Sequence, residues 1–189
     1  MALALDDIRQ AARLLQGRIL RTPLVYSPTF SRLFGAEVYL KLENLQKTGS
    51  FKIRGASYKI LRHREAIGPQ GVVAASAGNH AQGVALAARN AGVPAFIVMP
   101  EWASLTKQEA TRSYGGTILL HGKTLGESLE KARELSAQGY TFIHPYDDAD
   151  IITGQGTIGL EIVEDCLDVH AVLVPIGGGG LMAGIASAV

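Results

Sequence analysis

The chain has 189 residues, 47% of them hydrophobic and 19% charged, which describes a folded globular chain long enough to bury a core and excludes a disordered one. Lys and Arg number 18 against 17 Asp and Glu, a net charge of +1, and aromatics are 6%; nothing here is a basic nucleic-acid surface or a base-stacking platform. A single cysteine, Cys166, excludes a disulfide framework and a cysteine-based zinc site, and makes the cytoplasm the expected compartment.

In chain order, Met1-Ala2-Leu3-Ala4-Leu5-Asp6-Asp7 lacks a basic start and turns acidic at once, so no signal peptide is expected. A helical pattern runs from Ile8 to Leu15, a strand-like run from Glu37 to Leu42, and a helix from Phe51 to Leu61. Strands at Gly71 to Ala75, Ala95 to Met99, Thr117 to Leu120 and Tyr140 to Ile143 then alternate with helices at His80 to Ala91, Leu105 to Tyr114, Leu125 to Gln138 and Gly156 to Asp165. A last strand, Ala171 to Pro175, precedes an apolar helix from Leu181 to Val189 that stops soon after it begins, the pattern of a truncated chain. Ser50, Ser104 and Thr124 stand where helix N-caps belong. Short strands alternating with helices predict βαβ units and an α/β fold. Continuous apolar runs such as Phe96-Ile97-Val98-Met99 predict parallel strands covered on both faces. No apolar run reaches membrane-spanning length, so no membrane partner is expected.

Glycine is the unusual count: 22 residues, about 12% against a typical ~7%. The glycines cluster in three loops. In the first, Lys47-Thr48-Gly49-Ser50-Phe51-Lys52-Ile53-Arg54-Gly55-Ala56, Lys52 falls in the first turn of a helix, where the macrodipole disfavours a cation. It is either an exposed lysine reaching to water or an amine of lowered pKa, suited to imine formation or proton abstraction. In the second, Ser76-Ala77-Gly78-Asn79-His80, small residues before a helix allow close approach of an anion such as a carboxylate, and His80 would titrate near neutrality. The plain alternative is a strand-to-helix turn capped by Asn79. Metal binding by His80 is not expected, because no second ligand stands at useful spacing.

The third loop, Gly177-Gly178-Gly179-Gly180, lies between a strand and a helix. Four glycines cost much backbone entropy, and a nest of N–H groups around a phosphate is the usual compensation. Gly178-x-Gly180-x-x-Ala183 also satisfies a dinucleotide pattern, but weakly, and no Lys-Ser or Lys-Thr follows, which excludes a P-loop. All three loops fall at carboxyl ends of predicted strands. A reactive lysine, a carboxylate-binding turn and a phosphate cup are the parts that pyridoxal phosphate needs.

These motifs, in this order, resemble the threonine dehydratase and serine racemase family of fold-type II pyridoxal phosphate enzymes, which are similar to the tryptophan synthase β chain. Gly154-Gln155-Gly156-Thr157-Ile158-Gly159-Leu160-Glu161 is a further stretch of the kind this family carries. The resemblance covers essentially the whole chain. It implies that Lys52 holds the cofactor covalently and serves as base on Cα, and that Asn79 bonds the ring oxygen. It further implies that Gly177, Gly178, Gly179, Gly180 and the Leu181 amide cradle the phosphate. Ser76, Ala77, Gly78, Asn79 and His80 would bind the substrate carboxylate, largely through backbone N–H groups, and Tyr146 would form a wall of the pocket.

The implied reaction is β-elimination of water from L-threonine or L-serine, giving a 2-oxo acid and ammonia. Serine racemases carry a serine acid/base just before Gly-Asn-His; here that residue is Ala77, which moves no proton and disfavours racemisation. The resemblance also implies a small domain over 52–144, inserted between two parts of a larger domain over 1–51 and 145–189, and a homo-oligomer, a dimer or higher. Family members continue beyond the glycine loop, where the residue facing the pyridine nitrogen and any divalent-cation site would lie. A racemase or β-replacement enzyme, an inactive cofactor-binding fragment and a nicotinamide-dependent Rossmann protein are the competing readings.

Three other features are read without function. Cys166 is expected as a small buried hydrophobe, His63, His121 and His170 as surface or packing residues, and Asp147-Asp148-x-Asp150 as a solvated turn.

Overall fold

The computed structural model describes residues 3–189; Met1 and Ala2, which open the stretch read above for a leader, lie outside the described residues. The elements are α1 (Leu5–Leu15), β1 (Leu24–Tyr26), α2 (Pro28–Phe34), β2 (Tyr39–Lys41) and a 3-10 turn at Glu43–Leu45. They continue with α3 (Lys52–Arg62), β3 (Val72–Ala75), α4 (Asn79–Ala91), β4 (Ala95–Met99), α5 (Leu105–Ser113) and β5 (Gly116–Leu120). The last are α6 (Leu125–Ala137), β6 (Thr141–Phe142), α7 (Ala149–Asp165) and α8 (Gly180–Ala186).

Four strands pair in parallel in the order β5-β4-β3-β6. Alternate side chains of β3 and β4 divide between two cores, as the period of two requires. Val72, Ala74, Ile97 and Met99 pack with α3 and α4, whereas Val73, Ala75 and Val98 face Ala132 of α6. The chain lays down β3, β4 and β5 outward in one direction, then returns to place β6 on the opposite side of β3. The reversal makes a topological switch point, and open α/β sheets bind ligands in the crevice outside the carboxyl ends of the strands at such a point, here β3 and β6.

Two predicted strands come out differently. Glu37 to Leu42 narrows to β2, and its partner β1 is antiparallel, so this pair is a separate ribbon outside the parallel sheet. Ala171 to Pro175 forms no strand, because no other segment among the described residues pairs with it. It still alternates: Val172 and Val174 pack toward Ile158, Ile162 and Ile185, while Leu173 is 92% exposed.

Helix α7 begins at Ala149, two turns before the predicted Gly156. Glycine weakens a helix by about 1 kcal/mol relative to alanine, which is why the periodicity faded over Gly154 and Gly156. Tertiary contact overrides that preference. A Cβ on Gly154 would come within 2.6 Å of the Gly55 Cα of α3, and one on Gly156 within 2.9 Å of the Gly184 carbonyl of α8. The glycine-rich stretch is therefore a surface on which two helices seat at once.

The same stretch completes a buried ion network. Arg54, fully buried on α3, donates to Glu43 (2.8 Å from both Nε and Nη2) and to Glu161 of α7 (2.6 and 2.9 Å). Thr157 accepts from it at 3.0 Å, and Lys41 reaches Glu161 at 2.7 Å. Burial opposes the guanidinium charge, yet the hydrogen bonds to Glu43 and Glu161 outweigh it and hold the pKa above that of an ordinary arginine.

Caps follow the sequence at Ser104, which accepts from the Lys107 N–H, and at Thr124, which accepts from the Glu127 N–H. Ser50 departs from it: Phe51 occupies the cap position of α3, and the Ser50 hydroxyl is buried with no partner. Asp148 caps α7 and pairs with Lys59, and Asp150 pairs with Arg62 and His63, so the aspartate run is a helix start tied to α3 and not a solvated turn. Cys166 sits half-buried at the C-cap of α7 and is not a core residue.

Candidate active site

Lys52 opens α3 and is largely desolvated, and burial lowers its pKa from the ordinary 10.5. Its ammonium donates to the Pro145 carbonyl at 2.5 Å and stands 5.4 Å from the Phe51 ring. The backbone at Lys52 presses on α4: a Cβ on Gly83 would lie 3.1 Å from the Lys52 carbonyl carbon. The amine is thereby fixed beside the crevice between β3 and β6.

The Ser76–His80 turn joins the carboxyl end of β3 to the start of α4. Ser76 is half-buried, and its hydroxyl accepts from the Gly78 N–H at 3.1 Å. Ala77 and Gly78 are half-buried, and Gly78, not Asn79, holds the cap position of α4. Asn79 is exposed, and its Oδ1 accepts from Lys107 of α5 at 3.0 Å. That bond leaves the two amide hydrogens of Asn79 to face elsewhere. His80 corrects the expectation of a group titrating near neutrality. It is buried, its Nε2–H donates to the Ile143 carbonyl at 3.0 Å, and desolvation drives its pKa down to about 3. The imidazole is a neutral brace between α4 and the end of β6, and only the backbone of His80 remains for an anion.

The glycine loop meets the crevice through Tyr146. A Cβ on Gly178 would overlap the Tyr146 ring, and one on Gly180 would lie 2.5 Å from the Tyr146 carbonyl oxygen. Gly179 has a φ of 84°, a conformation that side chains rarely adopt. Gly177 has open space around its Cα. Leu181 anchors the start of α8 in the same apolar cluster as Phe51, Ile158 and Ile185, and the N–H groups of this first helical turn have no intrahelical acceptor. The segment Pro145-Tyr146 thus links the two halves of the site: its first carbonyl takes the lysine and its ring supports the glycines.

Replacing Gly178 by alanine is expected to weaken pyridoxal phosphate binding at least about tenfold, or about 1.4 kcal/mol, because the loop must leave the tyrosine ring. The same change at Gly177 meets no atom within 4 Å and is expected to cost far less. Absorbance titration of the two variants with the cofactor checks this.

Three groups escaped the sequence reading. Pro145 acts through a carbonyl, which side-chain chemistry does not announce. Lys107 reaches Asn79 from α5, 28 residues away. Arg54 lies inside the lysine motif itself but drew no role, because its partners are 11 and 107 residues distant.

Residues 15–189 match the model of the family described as pyridoxal-phosphate dependent enzyme. The chain belongs to this family. An L-threonine ammonia-lyase of Thermotoga maritima is 53% identical to it over 188 residues, 99% of this chain and 47% of that protein. Among solved structures, the processed threonine deaminase isoform 2 of Solanum lycopersicum is similar with a TM-score of 0.90 at 42% identity, covering 97% of this chain and 50% of that one. Maize serine racemase is similar with a TM-score of 0.95 at 37% identity, covering 100% of this chain and 57% of that one. The chain spans about half the length of the curated relatives it matches. The fold is that of the fold-type II pyridoxal phosphate enzymes, with a parallel sheet flanked by helices, as the sequence predicts.

The residues present fit the cofactor of this family. Lys52 offers a desolvated amine for the aldehyde, and the glycine loop, backed by Tyr146 at Gly178 and Gly180, has open space at Gly177 and Gly179 for a phosphate. No helix among the described residues is long and apolar enough to cross a membrane.

Proposed function

We propose that this chain carries the lysine half of an L-threonine/L-serine dehydratase, an ammonia-lyase that eliminates water from a β-hydroxy amino acid. The observation that carries the reading is the meeting of a desolvated lysine amine and a four-glycine loop at one crevice, joined through Pro145 and Tyr146. The ammonia-lyase relative, at 53% identity over 99% of the chain, supports the substrate class.

Bound pyridoxal phosphate supplies an aldehyde carbon for the substrate amine and a ring that accepts the electron pair released at Cα. The chain supplies the rest. Gly177, Gly178, Gly179, Gly180 and the Leu181 amide hold the phosphate. The N–H groups of the turn from Ser76 through Ala77, Gly78 and Asn79 to His80 hold the substrate carboxylate, and the Asn79 amide donates to the ring oxygen. Lys52 would give up the aldehyde carbon to the substrate amine and would then take the Cα proton, a role that its low solvation favours by favouring the free amine. The β-hydroxyl would leave as water with the proton that Lys52 took from Cα, and hydrolysis of the resulting enamine would yield a 2-oxo acid and ammonia. Tyr146 walls the pocket.

Ala77 supports elimination over racemisation, since no side chain there delivers a proton to the second face of Cα. The likeness to maize serine racemase is the observation that favours the second reading. Residues 52–144 are assigned to a small domain and 1–51 with 145–189 to a larger one, in a cytoplasmic homo-oligomer. The test adds pyridoxal phosphate, fixes the adduct with borohydride and maps it, then supplies L-threonine and L-serine. Adduct on Lys52 with 2-oxobutanoate and pyruvate supports the dehydratase. Adduct without turnover indicates a cofactor-binding fragment, and D-serine indicates a racemase.

A further inference from the structure

The segment that joins the lysine to the glycine loop is itself held by one side chain. His144 follows β6 and precedes Pro145. Its Nδ1 accepts from the Asp147 N–H at 2.7 Å and from the Tyr146 N–H at 3.2 Å, so its proton lies on Nε2. Its ring meets the Tyr146 ring edge-on with centroids 4.8 Å apart and the Phe142 ring with centroids 5.9 Å apart. The imidazole therefore folds the turn back on itself. On that turn stand the carbonyl that binds Lys52 and the ring that supports Gly178. The turn then runs into Asp148, which caps α7 and pairs with Lys59 of α3.

We propose that neutral His144 is a positioning residue for the cofactor site: by accepting both amides of its own turn, it sets Pro145 against Lys52 and Tyr146 under the glycine loop. This rests on the cofactor reading above. A proton on Nδ1 would remove the acceptor of both N–H groups at once. The charged groups around the ring oppose one another. Asp147 and Asp148 on the turn favour the imidazolium, Arg133 of α6 and Lys59 of α3 disfavour it, and neighbouring His80 of α4 stays uncharged. Burial is the largest influence and places the His144 pKa below 6.5. The sign follows: a base whose folded pKa is depressed is neutral and the turn intact above 6.5, and opening of the turn becomes favoured as the pH falls below that value.

The test uses three forms of the full chain. In the protein without cofactor, amide exchange at Tyr146 and Asp147 and the ring ¹⁵N shifts of His144 are followed against pH by NMR. Cofactor affinity is followed in parallel by absorbance. His144→Phe keeps a ring and removes the acceptor; it is expected to speed exchange at both amides at least tenfold and to weaken cofactor binding about tenfold. In His144→Asn, Oδ1 replaces Nδ1 without titrating; exchange and affinity are expected within about threefold of the native chain, with the acid-side loss below pH 6.5 abolished. Native exchange rates in His144→Phe, or the same acid-side loss in His144→Asn as in the native chain, would overturn the proposal. If His144→Phe does not fold, the pH comparison between His144→Asn and the native chain decides alone. If no form binds pyridoxal phosphate, the cofactor reading fails while the exchange rates still judge His144.

Discussion

With Lys52 replaced by alanine, no borohydride-stable adduct with pyridoxal phosphate is expected to form, and turnover of any β-hydroxy amino acid is expected to vanish. The chain holds seven lysines, so the loss of one amine must be decisive for a physical reason. Lys52 is the lysine whose pKa burial lowers, and the free amine is the reactive form. The amines of Lys41 and Lys59 are committed to carboxylates instead. The pH dependence carries a sign. Capture of the aldehyde by the native chain should rise with pH and level off below 10.5, because the amine loses its proton earlier than an exposed lysine. Mass spectrometry of the reduced, digested protein reads the site, and the rate of absorbance change reads the plateau. An adduct of native yield in Lys52→Ala, spread over other lysines, would remove Lys52 from its role.

Arg54→Leu is expected to destabilise the fold by about 3–5 kcal/mol, the usual cost of removing one partner from a buried ion cluster. The guanidinium has no exposed surface and serves Glu43 and Glu161 together, so its loss takes a counter-charge from both carboxylates. Lys41 still reaches Glu161, but Glu43 has no other cation within ion-pair distance among the described residues. Most of the cost should therefore sit on Glu43. Adding Glu43→Gln to Arg54→Leu is expected to recover a substantial part of it, because a neutral amide needs no counter-charge. Urea denaturation of the single and double variants measures both. A single variant within about 0.5 kcal/mol of the native chain would show that water replaces the guanidinium.

The elements that were legible in the sequence are those whose stability is local. Helices α5 and α6 have caps, and strands β3 to β6 are short apolar runs between turn residues. Helix α7 was half-hidden because Gly154 and Gly156 stand inside it, kept there by the approach of α3 and α8. β1 escaped because a three-residue antiparallel strand has too few residues to show a period. In the site, Lys52 and the glycine loop announced themselves through cost: a cation at a helix start and four glycines in a row. His80 misled, since the sequence shows a titratable ring but not the Ile143 carbonyl that buries it. Pro145 and His144 were invisible, because what they contribute is a carbonyl oxygen and a lone pair aimed at the chain's own backbone.

The crossing of α3 over α7 has a mechanical consequence. Gly55 and Gly154 approach so closely that even a methyl group would not fit between the helices, and Gln155 of α7 reaches back to the Gly55 N–H at 3.3 Å. Two rods in such contact share a pivot and have no gap to slide through. Lys52 lies one turn from the pivot on the first rod, and the turn from His144 to Asp148 leads directly into the second. A ligand that draws the surrounding helices inward would leave the amine and its carbonyl riding on the same axle, their separation preserved while the walls around them move.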